Sequence, residues 1–356
     1  MKKVIRIILL SLGGIILVLG IAAVIYVNNN MNYDKGTLEK LMKVGFSEKQ
    51  ARLPDGTELN YGEGPANGPA LFLIHGQMTS WEDYAPVLPE LSKRFHVFAV
   101  DCHGHGDSSK DPNKYTAEAM GKDFIWFMEN VISEPAFVSG HSSGGLLTAW
   151  LAANAPEHVR GVVLEDPPFF STEMERNPTA FAWVDSFKPI HDFLNQTEET
   201  NYTRYYLDHS YIQKLIGAGW QGMKKSALDY MEKNPGKAPR IFYLPPSVNR
   251  MFDLTAGSYD LRFGDAFYDC AWFENFNRED ILSRISCPSV LIHTNWSYSD
   301  DGILLAAMSG EDAKRAHDLI PGNKLIKVDS GHDFHYEKPK EFIQIMTDFL
   351  NEATKS

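Results

Sequence analysis

The stretch "AFVSGHSSGGLLTAWLAA", residues 136–153, passes from a short apolar run into a helical one through Gly-His-Ser-Ser-Gly-Gly, with no loop between them. A strand that turns straight into a helix strains the residue at the centre of the turn. Side chains two positions to either side would collide with that residue, so glycines belong there. The pattern Gly-x-Ser-x-Gly is met only with Ser142 at its centre, between Gly140 and Gly144; centring it on Ser143 loses the first glycine. The helix after the turn points its positive end at the serine. Ser142 is therefore the candidate nucleophile.

The surroundings fix the fold class. "ALFLIHG" (70–76), "HVFAVDC" (96–102) and "GVVLED" (161–166) are apolar runs of buried-strand length, and "TELNYGEG" reads as a strand after the turn "PDG". Helical stretches separate them: "WEDYAPVLPELSKR", "TAEAMGKDFIWFMENV" and "GGLLTAWLAANAPEHV". Such alternation predicts an α/β chain, a mostly parallel sheet flanked by helices. The rhythm stops after Asp166. From Pro167 to Ser286 the chain reads as mainly helical, and this segment holds 22 of the 43 aromatic residues. Most of them are needed for a core of its own; the surplus fits a lid over an apolar pocket. The rhythm resumes at "PSVLIHTN" (288–295) and closes with "NKLIKVDSG" and "PKEFIQIMTDFL".

Residues 7–27 carry no charge over 21 positions. As a helix they measure ~31 Å, matching a hydrocarbon core of ~30 Å. Lys2, Lys3 and Arg6 precede them without an acid, which keeps the N-terminus cytoplasmic and the rest extracytoplasmic. Cleavage after residue 22 would give a secreted protein instead. The expected organisation is thus an N-terminal membrane anchor (1–29), a polar spacer with a short helical stretch (30–50), a first core part (51–166), a helical cap (167–286) and a second core part (287–356). The chain carries a net charge of −12, of which +3 lies before residue 29, leaving −15 for the remainder. That excess excludes a nucleic-acid partner and disfavours a polyanionic substrate. Cys102, Cys270 and Cys287 form no disulfide framework or zinc pattern. His75, His103, His105 and His141 gather near the motif loops, yet their spacing matches no metal-binding pattern, so no metal is expected.

Three further stretches, together with the serine turn, carry a family resemblance. "LIHGQMTSW" resembles the His-Gly loop after the third strand of the α/β-hydrolases. "DCHGHGDSS" (101–109) resembles their Asp-x-x-Gly-x-Gly-x-Ser turn, and "DSGHDFHYEKP" their closing Gly-His segment. The chain resembles a cap-containing α/β-hydrolase over residues 51–356. The resemblance implies an α/β-hydrolase fold with an inserted helical cap, and His332 as the base that takes the Ser142 proton. His335, three residues on at the start of the closing helix, is the competing candidate for the base, at a position that suits a structural hydrogen bond better. The backbone N–H groups of Gln77 and Ser143 would hold the oxyanion.

The acid departs from the family's common pattern. It usually follows the strand read here as "SVLIH", three residues after a glycine; in "LIHTNWSYSDDG" Thr294 replaces the glycine and Ser297 stands at the acid's place. Asp166 at the end of "GVVLED", where some relatives carry the acid, and Asp300 or Asp301 in the later loop all stay open, with Glu165 as a further alternative. The implied activity is that of a membrane-anchored serine hydrolase, free of any cofactor, acting through an acyl-enzyme on a small or medium, largely apolar ester. A serine nucleophile argues against epoxide or haloalkane hydrolysis, for which this fold uses a carboxylate. Carbon–carbon bond or lactone hydrolysis with the same triad, and a non-catalytic binding protein on the same fold, are the alternatives.

Overall fold

The computed structural model describes residues 2–250, 252–253 and 257–353. The chain divides into two compact units, one of Thr37–Leu215 with Gly257–Ser356 and one of Met1–Gly36 with Ile216–Ala256.

The larger unit is built on an eight-stranded sheet: β1 (Ser47–Arg52), β2 (Glu58–Glu63), β3 (Ala70–Ile74), β4 (His96–Val100), β5 (Ala136–His141), β6 (Val159–Glu165), β7 (Ser289–His293) and β8 (Lys324–Lys327), in the order β1-β2-β4-β3-β5-β6-β7-β8. β2 pairs antiparallel with β1 and β4, and every other neighbouring pair is parallel. β3, β5 and β7 are buried at every residue, which is why they read as unbroken apolar runs rather than alternating ones. The two faces still separate by the strand period of two. Phe72 and Ile74 join the core cluster on one face with Val138, Leu146 and Leu164; Leu71 and Leu73 join the other with Phe137, Val163 and Phe349.

Helices supply most of the remaining regular structure. α1 (Lys2–Met31) belongs to the smaller unit. α2 (Ala117–Phe127) starts at Thr116, whose hydroxyl accepts the Ala119 N–H at 3.1 Å. α3 (Ser143–Asn154) follows β5 directly and is buried from Ser143 to Ala153. α4 (Trp220–Lys233) lies in the smaller unit, whereas α5 (Leu261–Tyr268), α6 (Gly310–Leu319) and α7 (Pro339–Ala353) lie in the larger one. Ser309 and Asp312 close a reciprocal capping box at the start of α6.

Two elements differ from the sequence expectation. Residues 47–52, expected to lie largely in a polar spacer, form β1, an edge strand in which only Ala51 is buried. One buried position in six leaves no alternation to read. Residues 81–94, expected to be helical, form a 3₁₀ turn at Trp81–Tyr84 and a single helical turn at Leu88–Leu91. Pro86 and Pro89 account for the break, since neither carries an N–H for the ladder.

In the smaller unit α1 holds Gly13–Met31, with a mean hydropathy of 1.7, long and apolar enough to cross a membrane. Membrane anchors and signal sequences share that length and composition.

Candidate active site

Ser142 sits between the last residue of β5 and the first of α3, with φ 53° and ψ −120°. A positive φ is costly for a residue with a Cβ and persists only where the surroundings impose it. They do so here. The Ser142 N–H donates to the Glu165 carbonyl at 2.9 Å, and the Ser142 carbonyl accepts from Gly145 N at 2.9 Å. A Cβ on Gly140 would stand 2.1 Å from the Gly144 carbonyl oxygen, and one on Gly144 would stand 2.1 Å from the Ile74 carbonyl oxygen. The two glycines of the motif are thus required by backbone approaching backbone. Ser143 opens α3, so its N–H has no acceptor within the helix.

His332 lies in the loop after β8. Its Nδ1 stands 2.8 Å from Asp166 Oδ2, and 38% of its side chain is exposed, whereas Asp166 is buried. Burial pulls the His332 pKa down. The hydrogen bond and charge of Asp166 push it up, the Asp333 and Glu165 charges add to this, and the net shift is above the ordinary histidine value. Asp166 follows β6 with φ 45°, another non-glycine at positive φ. Its Oδ2 also accepts the Thr294 hydroxyl at 2.7 Å, and its N–H donates to the Ile292 carbonyl at 3.0 Å. Thr294, the residue that breaks the common pattern after β7, is therefore the one that holds Asp166. Asp300 and Asp301 are not brought to His332. Both are exposed, and Asp301 accepts from the Tyr211 and Ser299 hydroxyls, which lower its pKa to about 2. Glu165 pairs instead with His335, whose backbone N–H and Nδ1 stand 2.8 Å and 2.9 Å from Glu165 Oε1.

Gln77 lies three residues past the end of β3, and its side-chain oxygen accepts the Tyr259 hydroxyl at 3.0 Å. Tyr259 carries no sequence signal of its own. The histidines near the motif loops each have a bonding partner. Cys102 N–H donates to His75 Nε2 at 3.0 Å, which makes His75 a neutral ring with its Nδ1 proton directed at the Gly76 carbonyl. Burial lowers the His75 pKa, in keeping with that tautomer. His103 Nε2 stands 2.9 Å from Asp123, and His105 Nδ1 stands 3.1 Å from the His103 carbonyl. Burial, aided by the His332 charge, lowers His141 to about 4. A neutral His141 donates from Nε2 to the His332 carbonyl at 3.1 Å and so braces the His332 backbone. Asp83, His141 and His335, all buried, bring ligand-type atoms within 4.8 Å of one another. The His335 ring is bonded to Glu165 through Nδ1, and its Nε2 stands 3.2 Å from Asp83 without hydrogen-bond geometry.

The turn "DCHGHGDSS" is built around Asp101. Its Oδ1 accepts from Trp81 N at 2.7 Å and its Oδ2 from Asn60 Nδ2 at 2.8 Å, while its carbonyl accepts the Ser108 hydroxyl at 2.7 Å. Gly106, at φ 49°, leaves room that a Cβ would take at 2.1 Å from Asp101 Oδ2. The motif thus rigidifies the loop that carries Cys102, the donor to His75.

Known proteins share parts of this chain's sequence and its fold. Bifunctional epoxide hydrolase 2 of Sus scrofa is 34% identical over 130 residues, 36% of this chain, which spans 23% of that protein's length. Epoxide hydrolase B of Mycobacterium tuberculosis is 24% identical over 336 residues, covering 80% of this chain and 91% of that one. The solved structure of a membrane phospholipase A superposes with a TM-score of 0.59 at 19% identity, covering 100% of both chains, and so shares the fold. Residues 69–339 match the family model described as the alpha/beta hydrolase fold, and the chain belongs to that family.

Proposed function

We propose that the chain is a membrane-anchored serine hydrolase in which Ser142, His332 and Asp166 form the catalytic triad. The observation that carries this reading is the 2.8 Å contact between His332 Nδ1 and the buried Asp166, on a chain whose Ser142 occupies the strained turn at the start of α3. With Nδ1 held by Asp166, Nε2 is left to take the Ser142 proton. The Ser142 oxygen attacks an acyl carbonyl, and the backbone N–H groups of Gln77 and Ser143 take the oxyanion. His332 then returns the proton to the leaving alkoxide, and the acyl group stays on Ser142. Water attacks the acyl-enzyme, His332 accepts its proton, and the acid product leaves as Ser142 regains its hydrogen.

The substrate we infer is a small or medium, largely apolar ester. Its support is the aromatic-rich segment between β6 and β7 and the net −15 of the chain beyond residue 29. The epoxide hydrolase relatives suggest another substrate class. A serine at the centre of the turn speaks against it, because epoxide opening on this fold uses a carboxylate there. α1 supplies the anchor, and the three basic residues near its start favour a cytoplasmic N-terminus.

A panel of p-nitrophenyl esters tests the proposal with the full chain and its variants. Ser142→Ala is expected to lose about 10⁶ in kcat and Asp166→Asn about 10⁴, with Asp300→Asn and Asp301→Asn near wild type. A wild type inert towards all esters, whose Ser142 is not labelled by a fluorophosphonate, would leave the non-catalytic reading standing.

A further inference from the structure

The smaller unit ties a piece of the insertion between β6 and β7 to the end of the apolar helix α1. Five residues at the end of α1 or just past it take part. The Tyr26 hydroxyl donates to the Tyr243 carbonyl at 3.1 Å, and Asn30 Nδ2 donates to the Phe242 carbonyl at 2.9 Å. Asn249 Nδ2 donates to the Asn30 carbonyl at 3.2 Å, and Arg240 donates to the Met31 carbonyl at 2.8 Å and to Asp34 Oδ1 at 2.7 Å. Arg240 also lies over the Tyr33 ring at 4.6 Å, and the Tyr33 hydroxyl bonds Asp253. The clamp leaves two aromatic side chains outside. Phe242 is 54% exposed and Tyr243 is 40% exposed. Their backbones are pinned to positions 30 and 26, one helical turn apart, where the uncharged run of α1 ends at Val27.

Charge points the same way. Residues 216–256 hold Lys224, Lys225, Lys233, Lys237, Arg240 and Arg250 against Asp229, Glu232 and Asp253, a net of +3. Outside this segment and residues 1–29 the chain carries −18. A basic segment on an otherwise acidic chain, joined to the end of a membrane-length helix and presenting aromatics there, has the chemistry of a bilayer interface: aromatic side chains at headgroup depth and lysines over anionic lipid.

We propose that residues 216–256, held to the end of α1, form a membrane-surface element that seats Phe242 and Tyr243 in the headgroup region of an anionic bilayer. This rests on the reading of α1 as an anchor. Part of the insertion after β6 is thereby fixed to the lipid surface by the fold itself rather than by the tether alone.

The test uses the full chain reconstituted into equimolar phosphatidylcholine–phosphatidylglycerol vesicles, with Phe242→Trp as the probe and the wild type as the tryptophan background. Phosphatidylcholine brominated high on its acyl chains is expected to quench the added emission at least twofold. Replacing Lys225, Lys233 and Lys237 by Glu in the same probe is expected to at least halve that quenching in anionic vesicles. Carbonate extraction of the same vesicles reads the anchor separately. A chain that resists extraction while its added tryptophan is quenched by aqueous iodide and not by bromolipid overturns the surface element and leaves the anchor intact. Emission shielded from both quenchers also overturns it and assigns Phe242 to a protein contact, a second copy included. A chain that carbonate releases overturns the anchor, and the surface element falls with it.

Discussion

The ends of β6 and β7 lie side by side, which sets Thr294 beside Asp166, and its hydroxyl supplies a second hydrogen bond to the carboxylate oxygen that His332 Nδ1 meets. The direction of the His332 shift gives a pH prediction. Its pKa lies above the ordinary 6.5, so the ion pair with Asp166 contributes stability that is full below that value and lost as pH rises through the raised one. Base catalysis runs the other way and needs the neutral ring. The acid limb of kcat/KM should therefore have its midpoint above 6.5 in the wild type. In Asp166→Asn it should fall below, because burial then acts on His332 with its main opposing partner gone. A variant limb unmoved from wild type would mean that another acid holds the base. Thr294→Val tests the support of the carboxylate. Hydrogen bonds to charged groups contribute about 1.5–3 kcal/mol to stability, so this loss should lower the unfolding free energy by about that amount and depress kcat/KM. With Asp166 relying more on His332, the acid limb should also move upward; an unchanged profile would reduce Thr294 to packing. The proposed nucleophile and base are readable from the sequence because each sits in a motif with a local geometric cause. The proposed acid is not. Chain distance leaves Asp166, Asp300, Asp301 and Glu165 open, and the sequence shows the Thr294 departure without showing that its hydroxyl meets Asp166.

At the scale of elements, the turn from β5 to α3 is held by contacts that no side chain can soften. A Cβ at Gly144 meets the Ile74 carbonyl oxygen, part of the adjacent strand β3, so relief would have to come from moving a central strand. Gly144→Ala should cost about 1–3 kcal/mol or more in urea unfolding and suppress ester hydrolysis with it, since the serine rides on the same turn. Gly222→Ala in α4 is the control: a Cβ there meets nothing within 4 Å, and the substitution should be neutral or stabilise by up to ~1 kcal/mol. Equal effects of the two would show that the turn is not the constraint. The same logic explains which elements the sequence discloses. β3, β5 and β7 are buried at every residue and β6 at all but Arg160, so they announce themselves as apolar runs. β1 does not, because an edge strand with Ala51 as its one buried residue needs no apolar pattern. The stretch 81–94 misleads for a different reason. Its apolar spacing suits a helix, but Trp81 gives its N–H to Asp101 and its ring fills the space beside Gly62, where a Cβ would stand 2.3 Å away. Tertiary contacts and two prolines outweigh the local pattern.

Over the larger unit as a whole, one buried imidazole joins three separate parts of the chain. His335 Nδ1 and backbone N–H both bond Glu165, at the end of β6, and its Nε2 stands 3.2 Å from Asp83, in the turn before β4, without the geometry of a hydrogen bond. Tyr84 packs on the ring at a centroid distance of 4.5 Å. Glu165 and Asp166 are adjacent, and His332 and His335 share one loop and the turn after it, so two carboxylate–imidazole pairs run side by side: one fully buried, one reaching solvent. Position alone assigns His335 a structural hydrogen bond. Its partners are not legible from the sequence, because Glu165 lies 170 positions away along the chain and Asp83 farther still. Leaving a buried polar group without its hydrogen-bond partner commonly costs about 1–3 kcal/mol. His335→Ala should therefore lower the unfolding free energy by about that amount, since it deprives the buried Glu165 carboxylate of the ring it bonds. His335→Asn keeps a donor near the Nδ1 position and should recover part of the loss. The comparison separates hydrogen bonding from filling: if Ala and Asn cost the same, the ring acts as filler, and if Asn recovers stability in urea unfolding, the tie is polar. Ester hydrolysis measured on the folded Asn variant then reports whether the buried pair also sets the loop that carries His332.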